Sequence, residues 1–222
     1  MPITPKIFLI HATPLSIAPI NDSFRRLWPQ ANLANLLDDS LSADLQLAGK
    51  IDQKMTDRFV ALGRYAHQAG ADAILFTCSA FGTAIDACKD ALPIPVLRPN
   101  EAMVEEALAH SGRLALMATF KPAIASISRE IQTRATELGR SVSIDPVFVE
   151  HAFKAAQDGD IATHDRLIAE SSPCTGDAEV ICFAQFSMSS AAEACARRSG
   201  KRVLTTPDSA VRCLRQRLDA SL

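Results

Sequence analysis

What this sequence of 222 residues lacks narrows its function before its motifs are considered. It lacks an excess of either charge, with 23 Lys and Arg against 25 Asp and Glu, so nothing favours a nucleic acid or an anionic membrane as partner. It lacks any apolar run near the roughly 18 residues that cross a bilayer. The opening Met-Pro-Ile-Thr-Pro-Lys lacks the charged-then-apolar profile of an export signal, and a cytoplasmic location is expected. None of the six cysteines forms a CxxC pair or a zinc-site spacing, so reduced thiols and no metal are expected. GxxxxGK[ST], GxGxxG and GxSxG are absent, which leaves nucleotide-binding and α/β-hydrolase readings without their motifs.

What is present is an alternation of strand-length apolar runs with helix-period segments. The expected strands are Lys6–His11, Leu33–Leu37, Asp72–Thr77, Ile94–Leu97, Arg113–Ala118, Val142–Val147, Ala178–Ala184 and Arg202–Leu204. Between them Met55, Phe59, Leu62, Ala66 and Ala69 step by four and three, with Gly70 as the stop. Ile124, Ile127, Ile131, Ala135 and Leu138 do the same after Pro122 and before Gly139. Strands apolar on both faces and separated by helices imply parallel sheets covered on both sides.

The chain also repeats itself. Displaced by 107 positions, Lys6–Ile10 falls on Arg113–Met117, Ala71–Ile74 on Ala178–Ile181, and Ala84–Cys88 on Ala191–Cys195. Val96-Leu97 falls on Val203-Leu204 at the same displacement, and one residue more brings Pro99–Ala102 onto Pro207–Ala210. The expected fold is therefore α/β with two pseudo-symmetric lobes, each a parallel sheet of about four strands flanked by helices. The expected boundaries are 1–98 for lobe one and 99–206 for lobe two. Sites in such sheets lie beyond the carboxyl ends of strands, and in two-lobed proteins between the lobes.

Cys78, in Thr77-Cys78-Ser79, ends the third strand of lobe one, and Gln185 ends the third strand of lobe two, 107 positions on. Both precede helical turns whose free N–H groups suit a carboxylate, and a helix start lowers a thiol's pKa. Cys78 is thus expected to be partly ionised at neutral pH and the most reactive of the six thiols. Ser79 in lobe one, and Phe186 and Ser187 in lobe two, belong to those turns. His11 and Thr13 follow the first strand of lobe one, and Thr119 follows the first strand of lobe two. Cys88, Cys182 and Cys195 read as packing, and His67, His110, His151 and His164 as solvated surface.

On these residues the chain resembles the aspartate/glutamate/hydantoin racemase superfamily, which includes maleate isomerases and arylmalonate decarboxylases. "GADAILFTCSAFG" is similar to the family's first cysteine block, "DAEVICFAQFSM" stands where the second belongs, and "KRVLTTPDSAV" resembles its closing strand and helix. The resemblance implies a cofactor-independent isomerase acting beside the carboxylate of a small substrate, with Cys78 and His11 as catalytic candidates. It also implies that Pro207–Leu222 packs back on lobe one, and a homo-oligomer is possible. Two-thiol racemases take a proton on one face and return one on the other, and Gln185 stands here in place of the second thiol. An amide has no accessible basic pKa at neutral pH. Three readings stay open: isomerisation with Cys78 as sole thiol or with His11 as second acid/base, decarboxylation with a single protonation, and carboxylate binding without catalysis. Gln185 suits each as a hydrogen-bond donor, with Thr13, Ser79, Thr119, Phe186 and Ser187 as binding candidates.

Overall fold

The computed structural model describes residues 4–220. Met1–Ile3, part of the segment read above for an export signal, and the last two residues of the expected closing helix lie outside the described residues. The strands are β1 (Lys6–His11), β2 (Asn32–Leu37), β3 (Ala73–Phe76), β4 (Val96–Leu97), β5 (Arg113–Ala118), β6 (Ser143–Phe148), β7 (Val180–Phe183) and β8 (Arg202–Thr205). The helices are α1 (Ile17–Leu27), α2 (Ser40–Ala48), α3 (Gln53–Gln68), α4 (Gly82–Asp90), α5 (Glu101–His110), α6 (Lys121–Glu137), α7 (Ala152–Gln157), α8 (Ile161–Ser171), α9 (Ala192–Ser199) and α10 (Thr206–Asp219). No helix among the described residues is long and apolar enough to cross a membrane.

Two units divide the chain: one takes it to Glu101 and again from Ala210, the other is Ala102–Ser209. Each boundary falls three residues beyond the expected 98 and 206. Glu101 stays with the first unit because its carboxylate pairs with Lys89 (2.7 Å) and with Arg217 near the end of α10 (3.1 Å). The α10 residue Arg215 also donates to the Leu27 carbonyl of that unit, at 3.3 Å.

Each unit holds one four-stranded, wholly parallel sheet, in the orders β2-β1-β3-β4 and β6-β5-β7-β8. The repeat persists in the hydrogen-bond register. Ile7 pairs with Ala73 and Leu114 with Val180; Ile74 pairs with Val96 and Ile181 with Val203, every member displaced by 107. β3 and β7 are buried at every residue, as continuous apolar runs demand. β4 begins two residues later than expected. Pro93 and Pro95 have no N–H for a ladder, and pairing starts at Val96. Pro146 is tolerated in β6 because that strand is an edge.

The expected helices form for the expected reasons. Asp52 caps α3 by accepting the Met55 N–H at 2.8 Å, and Met55, Phe59 and Ala66 are its buried face. Gly63, on the same face, sits against Cys88 of α4 where a β-carbon would collide, so only glycine permits that approach. In α6 Pro122 occupies the first turn, and Ile127, Ile131 and Ala135 are buried. Gly70 and Gly139 take the left-handed φ of +85° and +63° that end these helices.

Candidate active site

In the strand order β2-β1-β3-β4 the connections leave β1 and β3 on opposite sides. In such sheets this is the point beyond the carboxyl ends of the strands where ligands bind. Cys78 and Ala12 follow β3 and β1 at this point, and Gln185 and Thr119 follow β7 and β5 at its counterpart.

Cys78 is half-buried in extended backbone before a single turn, Ser79–Phe81, that leads into α4. It lines a small, largely apolar recess with Ile10, His11, Ala12, Leu41, Phe59 and Phe76. Burial pushes its thiol above the usual value of 9.0, and the Ala80 N–H, which stabilises the thiolate, opposes this only in part. Desolvation outweighs the turn's N–H, so the Cys78 pKa is raised, against the expectation that the helix start would lower it. The exposed Cys174, not Cys78, is the thiol open to solvent. Cys88 and Cys195 are buried and pushed up to about 11, and Cys182 to about 12, as packing residues should be.

His11 is fully buried. Its Nε2 lies 3.0 Å from the Asn35 Oδ1, and its Nδ1 lies 2.8 Å from the Thr77 Oγ1 and 3.1 Å from the Ser16 Oγ. A carbonyl oxygen only accepts, so Nε2 carries the proton and Nδ1 accepts from a hydroxyl. Burial lowers the His11 pKa, and the Asn35 contact counters it in part. Both ring nitrogens are engaged by side chains of the same lobe, and burial disfavours the charged ring that an acid/base role would pass through. His11 instead fixes Thr77, the residue before Cys78. Ser16 ties the same hydroxyl at 2.8 Å.

Sequence reasoning missed Thr77, Ser16 and Asn35. A signal existed in the repeat: the counterparts of His11 and Thr77 are Ala118 and Ala184. Two polar residues that occur together in one lobe and are both alanine in the other are candidates to bond each other. His164 is a second correction, because it is fully buried with its Nδ1 2.8 Å from Asp165.

Gln185, in extended backbone, reaches across to the turn after β5. Its Oε1 accepts from the Thr119 N–H (2.7 Å), the Thr119 hydroxyl (3.0 Å) and the Phe120 N–H (3.2 Å). Two of these donors are backbone N–H groups, so the amide oxygen must face them and the two N–H groups of Nε2 remain to be used. Thr119 is buried beneath this contact, and Ser187 and the Phe120 ring are exposed. Phe186 is half-buried and Ser79 exposed. Thr13 Oγ1 accepts the Leu15 N–H at 3.4 Å and caps its own turn. Among the described residues no cluster of His, Cys, Asp and Glu is placed to hold a metal ion.

A profile of Asp/Glu/hydantoin racemases matches residues 26–217. The chain belongs to that family. Among solved structures, allantoin racemase from Klebsiella pneumoniae is similar over 99% of this chain and 89% of its own, with TM-score 0.73 and 14% identity. Glutamate racemase from Bacillus anthracis matches over 98% of this chain and 82% of its own, with TM-score 0.70 and 14% identity. A sulfate-associated mutant of arylmalonate decarboxylase matches over 96% and 92%, with TM-score 0.67 and 16% identity. These likenesses establish a shared fold. No curated protein matches the sequence significantly.

Proposed function

We propose that this member of the racemase family is a cofactor-independent enzyme that delivers one proton to a carbanion beside a carboxylate, with Cys78 as the sole proton donor. The observation that carries the reading is a single thiol at a strand end, its pKa raised by burial, whose counterpart in the repeat is a carboxamide. A neutral thiol gives a proton and does not take one. The carbanion must then arise without a base, and loss of CO₂ from a substituted malonate does this. The bond from the α-carbon to one carboxylate breaks, CO₂ leaves, and the electron pair stays on carbon and the remaining carboxylate as an enediolate. The Cys78 S–H protonates that carbon, and water restores the thiol. Backbone N–H groups of the turn that Cys78 opens are the donors for the enediolate oxygens.

A second reading, cis–trans isomerisation of an enedioate by addition of the Cys78 thiolate, is favoured by the Ala80 N–H, which stabilises that thiolate. The two are separated by supplying a substituted malonate and, separately, an enedioate. Release of CO₂ with uptake of one solvent deuterium supports the first reading; interconversion of the enedioate isomers without CO₂ supports the second. Racemisation of aspartate, glutamate or hydantoin enantiomers would contradict both.

A further inference from the structure

We propose that α2 is a lid that shuts the recess beside Cys78, held closed by ion pairs from Arg58 and opened when those pairs break. The inference rests on the reading of Cys78 as the reacting group, and it names what must move before a ligand can pack against the thiol on this side. The recess takes its walls from β1 and β3 with the residues that follow them, from Phe59 of α3 and from Leu41 of α2. It holds no space for even a water molecule. One wall therefore has to give way.

The walls differ in how firmly they are held. β1 and β3 are inner strands, each paired on both sides, so the ladders fix them. α3 is 16 residues long, is capped by Asp52 and buries Met55, Phe59, Gly63 and Ala66. α2 has nine residues and buries only Leu41. No side-chain hydrogen bond caps its start, and it ends at the exposed Gly49, whose φ of +68° turns the chain out of the helix. An element with so few buried apolar contacts opens at a lower free energy than its neighbours. The weak wall is α2.

What holds α2 down is mostly polar. Arg58 of α3 donates to the Asp38 Oδ2, just before α2, at 2.6 Å, to the Ser40 Oγ at 2.8 Å, and to the Asp44 carboxylate in the middle of the helix. The Ser42 Oγ donates to the Ala12 carbonyl at 3.0 Å. The Arg58, Asp38 and Asp44 side chains keep 29%, 27% and 46% of their exposure, so water competes for these charges. Partly exposed pairs of this kind bias an equilibrium by less than about fivefold each. They set the closed position and still let it open.

The test reads opening directly, by amide hydrogen exchange and by labelling of the thiol. In the unmodified protein the amides of α2 should exchange faster than those of β1 and β3. Arg58→Gln should speed exchange in α2 about fivefold and leave β1 and β3 as they were. A bulky maleimide, with the exposed Cys174 as internal standard, should label Cys78 faster in Arg58→Gln and faster also in Asp44→Asn. A direct effect of charge on the thiol would act in opposite senses, because losing a cation raises its pKa and losing an anion lowers it. Acceleration in both variants is thus the mark of a lid. Labelling that fails to rise in both, or α2 amides as protected as those of β3, overturns the inference. Exchange in the unmodified protein decides the matter even where a variant fails to fold. An α2 that opens in a protein with no turnover on any malonate leaves the lid standing and the proposed function wrong; turnover with α2 as protected as β3 does the reverse.

Discussion

The strand-end turns of the two repeats share a register and differ in chemistry. After β3 a thiol lines a largely apolar recess, and behind it runs a chain of Asn35, His11, Thr77 and Ser16. After β7 a carboxamide is tied to three donors, and the positions of His11 and Thr77 hold Ala118 and Ala184. The buried polar groups of lobe one fix Thr77, the residue before Cys78. Those of lobe two immobilise the carboxamide, leaving it able to donate and unable to accept. The two repeats thus keep one backbone register while the side chains at their strand ends differ.

The largest expected effect comes from the reactive half. Cys78→Ser keeps size and polarity but replaces the thiol with a far weaker acid, and kcat should fall by about 10²–10⁴-fold, the usual contribution of a positioned acid. Steady-state turnover on the true substrate measures this, with an unfolding curve to show that the fold survives. Unchanged turnover would remove Cys78 from the reaction.

Gln185 offers a finer cut, because its amide oxygen accepts from three donors. Gln185→Leu leaves the Thr119 and Phe120 N–H groups without an acceptor and should cost about 1–3 kcal/mol in urea unfolding. Gln185→Glu keeps an acceptor for those donors, so stability should hold. If both variants lose stability equally, the amide oxygen is not what the three donors require.

A smaller effect sharpens the contrast from the side of His11. Burial depresses its pKa below 6.5, so the folded protein prefers the neutral ring while the unfolded chain takes up a proton more readily. The stability from this group is complete above 6.5 and is lost as pH falls from there toward the folded value. The melting temperature, followed from above to below pH 6.5, should decline in the parent and decline less in His11→Gln. An equal decline in both would mean that another group titrates in that window.

The fold was legible because its signals are periodic. Apolar runs such as Ala73–Phe76, the steps from Met55 to Ala66 and the 107-residue displacement each reflect a geometric repeat of the backbone. Strand ends were less so, since proline chemistry at Pro93 and Pro95 outweighed the apolar content of Ile94. At the site, position was legible and electrostatics were not. That Cys78 ends a strand could be read from its neighbours. That burial would outweigh the turn's N–H depends on Leu41 and Phe59, which are distant in sequence and near only after folding. The role of His11 was hidden for the same reason, because Asn35 and Thr77 reach it from two other strands.

The contrast between one thiol and one carboxamide is tested most directly by the fate of a single proton. In deuterated water, a malonate bearing two different substituents should release CO₂ and yield a product with one deuterium at the α-carbon, in one enantiomer. That product, returned to the enzyme in ordinary water, should keep its deuterium. Loss of the label together with loss of optical activity would show a second base on the opposite face, and would contradict the account.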